Sequence, residues 1–238
     1  MNRSFDRSLL VLTILGLSTA TGLTQLIVYE DTGGTDFYAS VSGGSPPSAA
    51  GDLVTLAGGG NTVTSLTAGF RGADILAGAT ASFSLNFYNP GPLVTVNGLT
   101  APSVGTQIGS TVTLPSVPVQ SGNFDVTFSS LNITVPNSVI WAVTIADLTG
   151  TGSLGWTFSG TPTVGSSDPA FAYQGIPLSV GGLLLAPDPN IATTPNSNLT
   201  ATIEAIPEPA IYPVILGALC LGLIWQRAAE AHCSDLTE

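Results

Sequence analysis

Reactive side chains are scarce in this chain, which limits the chemistry that it can perform. The single histidine, His232, lies beyond the second of two apolar segments, and the chain contains no lysine. A Ser-His-Asp triad, a Cys-His pair and histidine ligation of a metal are therefore excluded for the central region, residues 23–205. The two cysteines, Cys220 and Cys233, also lie outside that region, so its sequence provides no disulfide.

Carboxylates are the remaining groups with catalytic potential. Paired carboxylates hydrolyse glycosidic bonds when two of them face each other across a cleft. Most acidic residues here lie in Gly- or Thr-rich turns or on the polar faces of predicted strands, so we expect solvated side chains, no catalytic residues and no enzymatic activity. The acidic residues considered are Glu30, Asp31, Asp36, Asp52, Asp74, Asp125, Asp147, Asp168, Asp188 and Glu204.

Calcium binding is a second chemistry open to acidic residues, because hard oxygen ligands bind this ion in extracellular β-domains. The local groupings are Glu30 and Asp31 with Asp36, and Asp188 near Asn190. Neither grouping has the spacing of an EF-hand or of a Gly-Asp repeat loop. We therefore predict no metal site and no cofactor, with calcium binding kept as an alternative.

Carbohydrate binding requires aromatic rings on an exposed sheet face. Trp141 shares its face with Val139, Val143 and Ile145, and Trp156 shares one with Phe158. This pattern predicts that both tryptophans belong to the core. The rings left as candidates for the surface are Tyr38, Tyr88 and Tyr173.

The charge balance excludes nucleic acid as a partner. The formal net charge is -11, and Arg71 is the single basic residue between the two apolar segments. Affinity for phosphate backbones depends on several Lys or Arg side chains that release counterions. Acidity of this kind favours solubility and weak repulsion between copies.

Composition predicts an all-β fold. The sequence is 44% hydrophobic with 28 Gly and 17 Pro, is rich in Thr, Ser and Val, and lacks helical periodicity between its two ends. We predict one β-sandwich or jelly-roll-like domain over residues 23–205. The predicted strands are Leu26–Tyr29, Thr62–Phe70, Ala81–Tyr88, Val94–Val96, Ser110–Thr113, Asn123–Leu131, Ser138–Ala146, Trp156–Ser159 and Ala170–Tyr173.

Turn residues separate these strands. Asn89-Pro90-Gly91-Pro92 and Gly150-Thr151-Gly152 have the residue types that tight turns require. Residues Gly181–Thr202 contain several prolines and lead into a predicted edge strand at Leu199–Ile203, followed by a stalk.

The first apolar segment predicts secretion. Arg3 and Arg7 precede the apolar run Leu9–Leu17, and small residues follow at Ser18-Thr19-Ala20. This order is typical of a signal peptide over residues 1–20, cleaved after Ala20 or, as a second choice, after Gly22.

The second apolar segment, Ala210–Trp225, predicts a transmembrane helix within residues 206–229. Its length as a helix is about 24 Å, which Ala228 and Ala229 extend toward the ~30 Å of a bilayer core. Tyr212 and Trp225 lie near its two ends, and Arg227 follows on the predicted cytoplasmic side, before a tail at residues 230–238.

Directly before this segment stands Pro207-Glu208-Pro209, within AIPEPAIYPVILGALCLGLIWQR. The combination resembles the PEP-CTERM sorting signal, in which a Pro-Glu-Pro motif, a transmembrane helix and a basic tail mark a secreted protein for an exosortase. Arg227 stands here in place of the family's usual arginine cluster. The resemblance covers only the last thirty or so residues.

These features predict a non-enzymatic protein exported to a bacterial cell envelope. By the resemblance, an exosortase recognises Pro207, Glu208 and Pro209 and processes the protein at the membrane. The product then reaches the cell surface or an extracellular polysaccharide matrix. The alternative is a polysaccharide- or calcium-binding adhesive module held by an ordinary C-terminal membrane anchor, and a distant third reading is a carboxylate-based hydrolase.

Overall fold

The computed structural model describes residues 25–32, 36–58, 61–96, 99–159, 161–175, 184–185 and 198–207. Within these ranges every regular element is a β-strand. The strands are β1 (Leu26–Asp31), β2 (Asp36–Ser42), β3 (Ser48–Thr55), β4 (Asn61–Ala73), β5 (Thr80–Val96), β6 (Leu99–Pro118), β7 (Gly122–Phe128), β8 (Ile133–Val135), β9 (Ser138–Ala146), β10 (Ser153–Ser159), β11 (Ser166–Gly175), β12 (Leu184–Leu185), β13 (Asn198–Leu199) and β14 (Ala201–Pro207).

The strands form two antiparallel sheets, which confirms the all-β prediction. The smaller sheet has the order β12-β11-β3-β9-β5-β6. The larger sheet follows β1-β14-β4-β10-β13, with β7 and β8 paired to β4 and β2 paired to β10. The predicted signal peptide and transmembrane segment lie outside the described residues.

One hydrophobic core joins the two sheets as in a β-sandwich. Phe70 of the larger sheet meets Phe83 of the smaller sheet edge to face, with ring centroids 4.9 Å apart. Trp141 and Trp156 are fully buried in the same core, as the sequence predicts. On β5, Phe83, Leu85 and Phe87 alternate with half-buried polar residues, which confirms the predicted inward face.

A second, smaller apolar cluster lies on the other face of the smaller sheet. Tyr88 and Ile140 are buried there against Ala101 and Val104 of β6. The expectation that Tyr88 is a surface ring is therefore wrong. The predicted turn at Asn89–Pro92 is also wrong, because these residues belong to β5 at register shifts where bulges bend the β5–β6 hairpin.

The predicted edge strand at Leu199–Ile203 is divided between two strands. Leu199 belongs to β13, at the end of the sheet order, whereas Ala201–Ile203 belong to β14, inside the sheet. β14 pairs with β1 on one side and with β4 on the other. The outer side of β1 is covered as well, because the Ala57 N–H donates to Val28 O at 2.8 Å and the Thr163 N–H donates to Glu30 O at 2.7 Å. This part of the sheet thus leaves few unpaired backbone groups exposed.

β4 changes partner at Gly69, where three strands meet. Its residues Phe70–Ala73 pair with β10, and its residues Asn61–Ala68 pair with β14. At the change, the Gly69 N–H donates to Thr200 O at 3.0 Å, and the hydroxyls of Thr157 and Thr200 hydrogen-bond each other. A Cβ atom at Gly69 would lie less than 3.0 Å from both hydroxyl oxygens, so only glycine fits without displacement.

We expect Gly69→Ala to lower the free energy of unfolding by about 1–3 kcal/mol, because the added methyl group overpacks the Thr157–Thr200 pair. Urea unfolding followed by circular dichroism measures this change as a lower midpoint with an unchanged slope. In a Thr157→Ala, Thr200→Ala background the same substitution should cost clearly less. An equal cost in both backgrounds would contradict the steric explanation.

Candidate functional site

Of the predicted sorting motif, only Pro207 lies among the described residues. Pro207 is the last residue of β14, where it pairs with Asn61 of β4. Glu208 and Pro209 lie outside the described residues.

Three acidic residues are exposed, as the sequence predicts. Asp74 and Asp147 occupy turns at positive φ, and Asp125 lies on the outer face of β7. The side chains of Asp36 and Asp168 are not described, and Asp188 lies outside the described residues.

The two glutamates on strands are half-buried and hydrogen-bonded by hydroxyl groups. Glu30 accepts a hydrogen bond from Thr163 Oγ1 at 2.6 Å, and Glu204 accepts one from Ser65 Oγ at 2.6 Å and another from Gln25. Glu30 and Asp31 are adjacent strand residues whose carboxylates bond different partners. These two side chains therefore do not form the calcium site considered around them.

Asp31 and Asp52 overturn the expectation of solvated acids. Asp31 is 1% exposed and Asp52 is 0% exposed. Asp52 lies on β3, in the middle of the smaller sheet and opposite Trp141 of β9. Its sequence context, Ala-Ala-Gly-Asp, has the composition of a turn, so sequence reasoning missed both the strand and the buried carboxylate.

The Asp52 carboxylate is held by hydrogen-bond donors from both sheets. Ser167 Oγ of β11 donates to it at 3.0 Å. The backbone N–H groups of Leu53 on its own strand and Leu199 on β13 also face it. Burial raises the pKa of Asp52 well above the usual range for aspartate, although these donors oppose the rise and the charge of Asp31 adds to it.

Asp31, at the end of β1, lies next to Asp52 and its hydrogen-bond donors. It accepts hydrogen bonds from the hydroxyl of Ser159 and from the side chain of Asn198. Burial raises the pKa of Asp31, and these two donors partly offset the effect. Because Asn198 contacts Asp31 and the next residue, Leu199, contacts Asp52, one two-residue strand brings the two carboxylates together.

Tyr29 is a third buried polar residue beside Asp31 and Asp52. It is fully buried, two residues before Asp31 on β1. Burial raises the pKa of its phenol, the charges of Asp52 and then Asp31 raise it further, and the Ser167 hydroxyl opposes them. We call Tyr29, Asp31, Asp52, Ser159 and Ser167 the buried acidic cluster.

A pocket of about 210 Å³ opens beside this cluster. Asp31 belongs to both, since it also lines the pocket. The pocket wall combines polar groups, among them Asp125, Asn123 and several threonine hydroxyls, with apolar surface that includes the ring of Phe124. The lining residues are Asp31, Thr32, Thr67, Gly69, Phe70, Asn123, Phe124, Asp125, Thr157, Thr200, Ala201 and Thr202.

The arrangement constrains the chemistry of the cluster. A glycosidase needs both carboxylates on a cleft that admits the sugar. Asp52 is fully buried, so the pair Asp31 and Asp52 does not form such a cleft. Among the described residues, no three His, Cys, Asp or Glu side chains converge to hold a metal, so a cation here would need neutral oxygen ligands as well.

Comparison with protein-family models, curated proteins and solved structures gives no match to this chain. Within the part of the chain that the structure describes, no helix has the length and apolar character needed to cross a membrane.

We expect Asp52→Asn to stabilise the domain at about pH 8 in a buffer with a metal chelator. Because the folded-state pKa of Asp52 is raised, its contribution to stability is complete below the unfolded pKa of about 3.9 and is lost as pH rises through the folded pKa. Asparagine carries no charge, so the variant does not lose this stability as pH rises, and its side-chain oxygen still accepts the hydrogen bond from Ser167. Thermal unfolding between about pH 4 and pH 8 should show the two midpoints diverging as pH rises.

Asp74→Asn is the matched control for this experiment. It makes the same chemical change at an exposed turn residue, where asparagine tolerates the positive φ of 56°. The Asp74 variant should follow the unmodified protein at every pH. An Asp52→Asn protein less stable than the parent across the whole range would contradict the prediction.

Proposed function

We propose that this chain is an exported, non-enzymatic protein of the bacterial cell envelope, sorted through its C-terminal segment. The observation that carries the proposal is the order of features after β14. Pro207-Glu208-Pro209 is followed at once by the apolar run Ala210–Trp225 and by Arg227. This order resembles the PEP-CTERM signal, and an apolar run that ends just before an arginine suits a membrane anchor with a cytoplasmic end.

The junction between domain and motif supports this proposal. β14 is hydrogen-bonded on both sides, to β1 and to β4, and its pairing with β4 continues to Pro207. The last described strand therefore includes the first residue of the motif. Proline fixes φ and keeps the preceding residue out of the helical region, which favours an extended backbone around Glu208 for a processing enzyme to bind.

The predicted route follows from both ends of the chain. Residues 1–20 would direct export and be removed. The segment 206–229 would hold the precursor in the membrane until an exosortase acts on it. The β-sandwich would then be delivered to the cell surface or to an extracellular polysaccharide matrix.

We expect Glu208→Ala to block processing in the host. The parent protein should yield a mature form that lacks the C-terminal segment and leaves the membrane fraction. The variant should keep its full mass and remain in the membrane, because the recognised carboxylate is missing. Intact-mass spectrometry with membrane fractionation measures both properties.

Glu230→Ala is the matched control, since it removes the same side chain from the predicted cytoplasmic tail. It should be processed like the parent. A C-terminal segment retained in the parent itself would sink the sorting proposal and leave an ordinary membrane anchor.

A second candidate function is polysaccharide binding by the domain, favoured by the pocket beside Asp31. Carboxylate, amide and hydroxyl groups there offer the acceptors and donors that sugar hydroxyls require, and Phe124 adds an apolar surface. This function is compatible with either a sorted or a membrane-anchored protein.

We expect Asp125→Asn to weaken retention on the host's extracellular polysaccharide about tenfold, because a charged acceptor on the pocket wall is lost. Affinity electrophoresis in gels that contain the polysaccharide gives the dissociation constants. Asp147→Asn, an exposed turn residue outside the pocket, should bind like the parent. Equal retention of all three proteins would remove the pocket as the binding site.

A further inference from the structure

Three buried polar atoms of the acidic cluster lack a hydrogen bond of normal geometry among the described residues. They are Asp31 Oδ2, Asp52 Oδ2 and the hydroxyl oxygen of Tyr29. All three residues are at most 1% exposed. A buried polar group without a partner costs about 1–3 kcal/mol, and more if it is charged, so these atoms call for a ligand or a proton.

The three atoms belong to one locality. Asn198 and Leu199 are consecutive residues that contact Asp31 and Asp52 respectively. The phenol of Tyr29 feels the charges of both carboxylates, and Ser167 lies beside the phenol while donating to Asp52. The pairing of Ser159, which bonds Asp31, with Asn198 places the same residues side by side in the sheet.

Within the described residues, no basic side chain belongs to this cluster. Arg71 is the one basic residue in the sequence between residues 25 and 207. It is exposed on β4, opposite Gly155 of β10 and Asn123 of β7. Two buried carboxylates without a basic partner are strongly disfavoured in their charged form.

We propose that Asp31 and Asp52 bind a calcium ion inside the buried acidic cluster. The two unpartnered carboxylate oxygens supply the charge, and the Tyr29 hydroxyl supplies a neutral oxygen. The hydroxyls of Ser159 and Ser167 lie next to the carboxylates as further oxygen donors. Calcium suits this set of five oxygens better than magnesium, because calcium accepts irregular geometry and can complete its 6–8 ligands with water, whereas magnesium demands an octahedron.

The ion would enter from the side of the pocket, which Asp31 lines. The pocket volume of about 210 Å³ exceeds by far the roughly 15 Å³ that one water molecule requires. Asp125 on the wall attracts cations, and Asp31 joins the pocket to the cluster. The proposal does not depend on sorting, since it concerns residues of the domain alone.

The test uses the full-length chain, purified in mild detergent and stripped with a chelator. Addition of calcium to about 10 mM should raise the unfolding midpoint by about 3–6 °C for a dissociation constant of about 1 mM, and magnesium should raise it less. Terbium should bind at the same site, with luminescence sensitised by Tyr29 and quenched by competing calcium.

Asp52→Asn and Asp31→Asn should each abolish the calcium-dependent rise and the terbium signal, while Asp74→Asn keeps both. The second variant preserves the test if the first fails to fold. Two results together would overturn the proposal and indicate protonated aspartates instead. The unfolding midpoint of the parent would not change with calcium, and the Asp52→Asn protein would be more stable than the parent both in chelator and in calcium. Loss of the effect in Asp125→Asn but not in Asp52→Asn would place the ion in the pocket mouth and equally overturn it.

Discussion

The carboxylate of Asp52 makes a polar connection between the two sheets inside the core. It lies in the middle of the smaller sheet and receives Ser167 Oγ from that sheet, yet it also faces the backbone N–H of Leu199 in the larger one. Hydrophobic contacts such as Phe70 with Phe83 hold sheets together without fixing their register. A buried carboxylate meets its hydrogen-bond donors in only one alignment of the two sheets. It therefore favours that alignment, although its burial costs desolvation energy.

The short strand β13 is shaped by this requirement. Asn198 and Leu199 pair with Ser159 and Phe158 of β10, and the chain then passes Thr200 and continues as β14 beside β4. Gly69 allows that passage, because its missing side chain leaves room for two threonine hydroxyls. The acidic cluster, Gly69 and the pocket therefore lie close together, where the chain passes from β13 to β14 beside β4.

Local sequence patterns were sufficient to predict strands with strict alternation. β9 has its predicted bounds, Ser138–Ala146, because large apolar residues occur there at every second position. β3 was not predicted, because Ala49, Ala50 and Gly51 show no alternation of apolar and polar side chains. Its pairing with β9 and β11 makes it a strand. The burial of Asp31 likewise depends on Ser159 and Asn198, which are remote in sequence, so no local pattern contains it.

The double pairing of β14 has a mechanical consequence. Interstrand hydrogen bonds of an antiparallel ladder run perpendicular to the strands. A pull along β14 from the residues after Pro207 would load its bonds to β1 and β4 together, in shear, instead of opening them one at a time. A strand paired on both sides presents two ladders of bonds to such a pull, whereas the outer strand of a hairpin presents one.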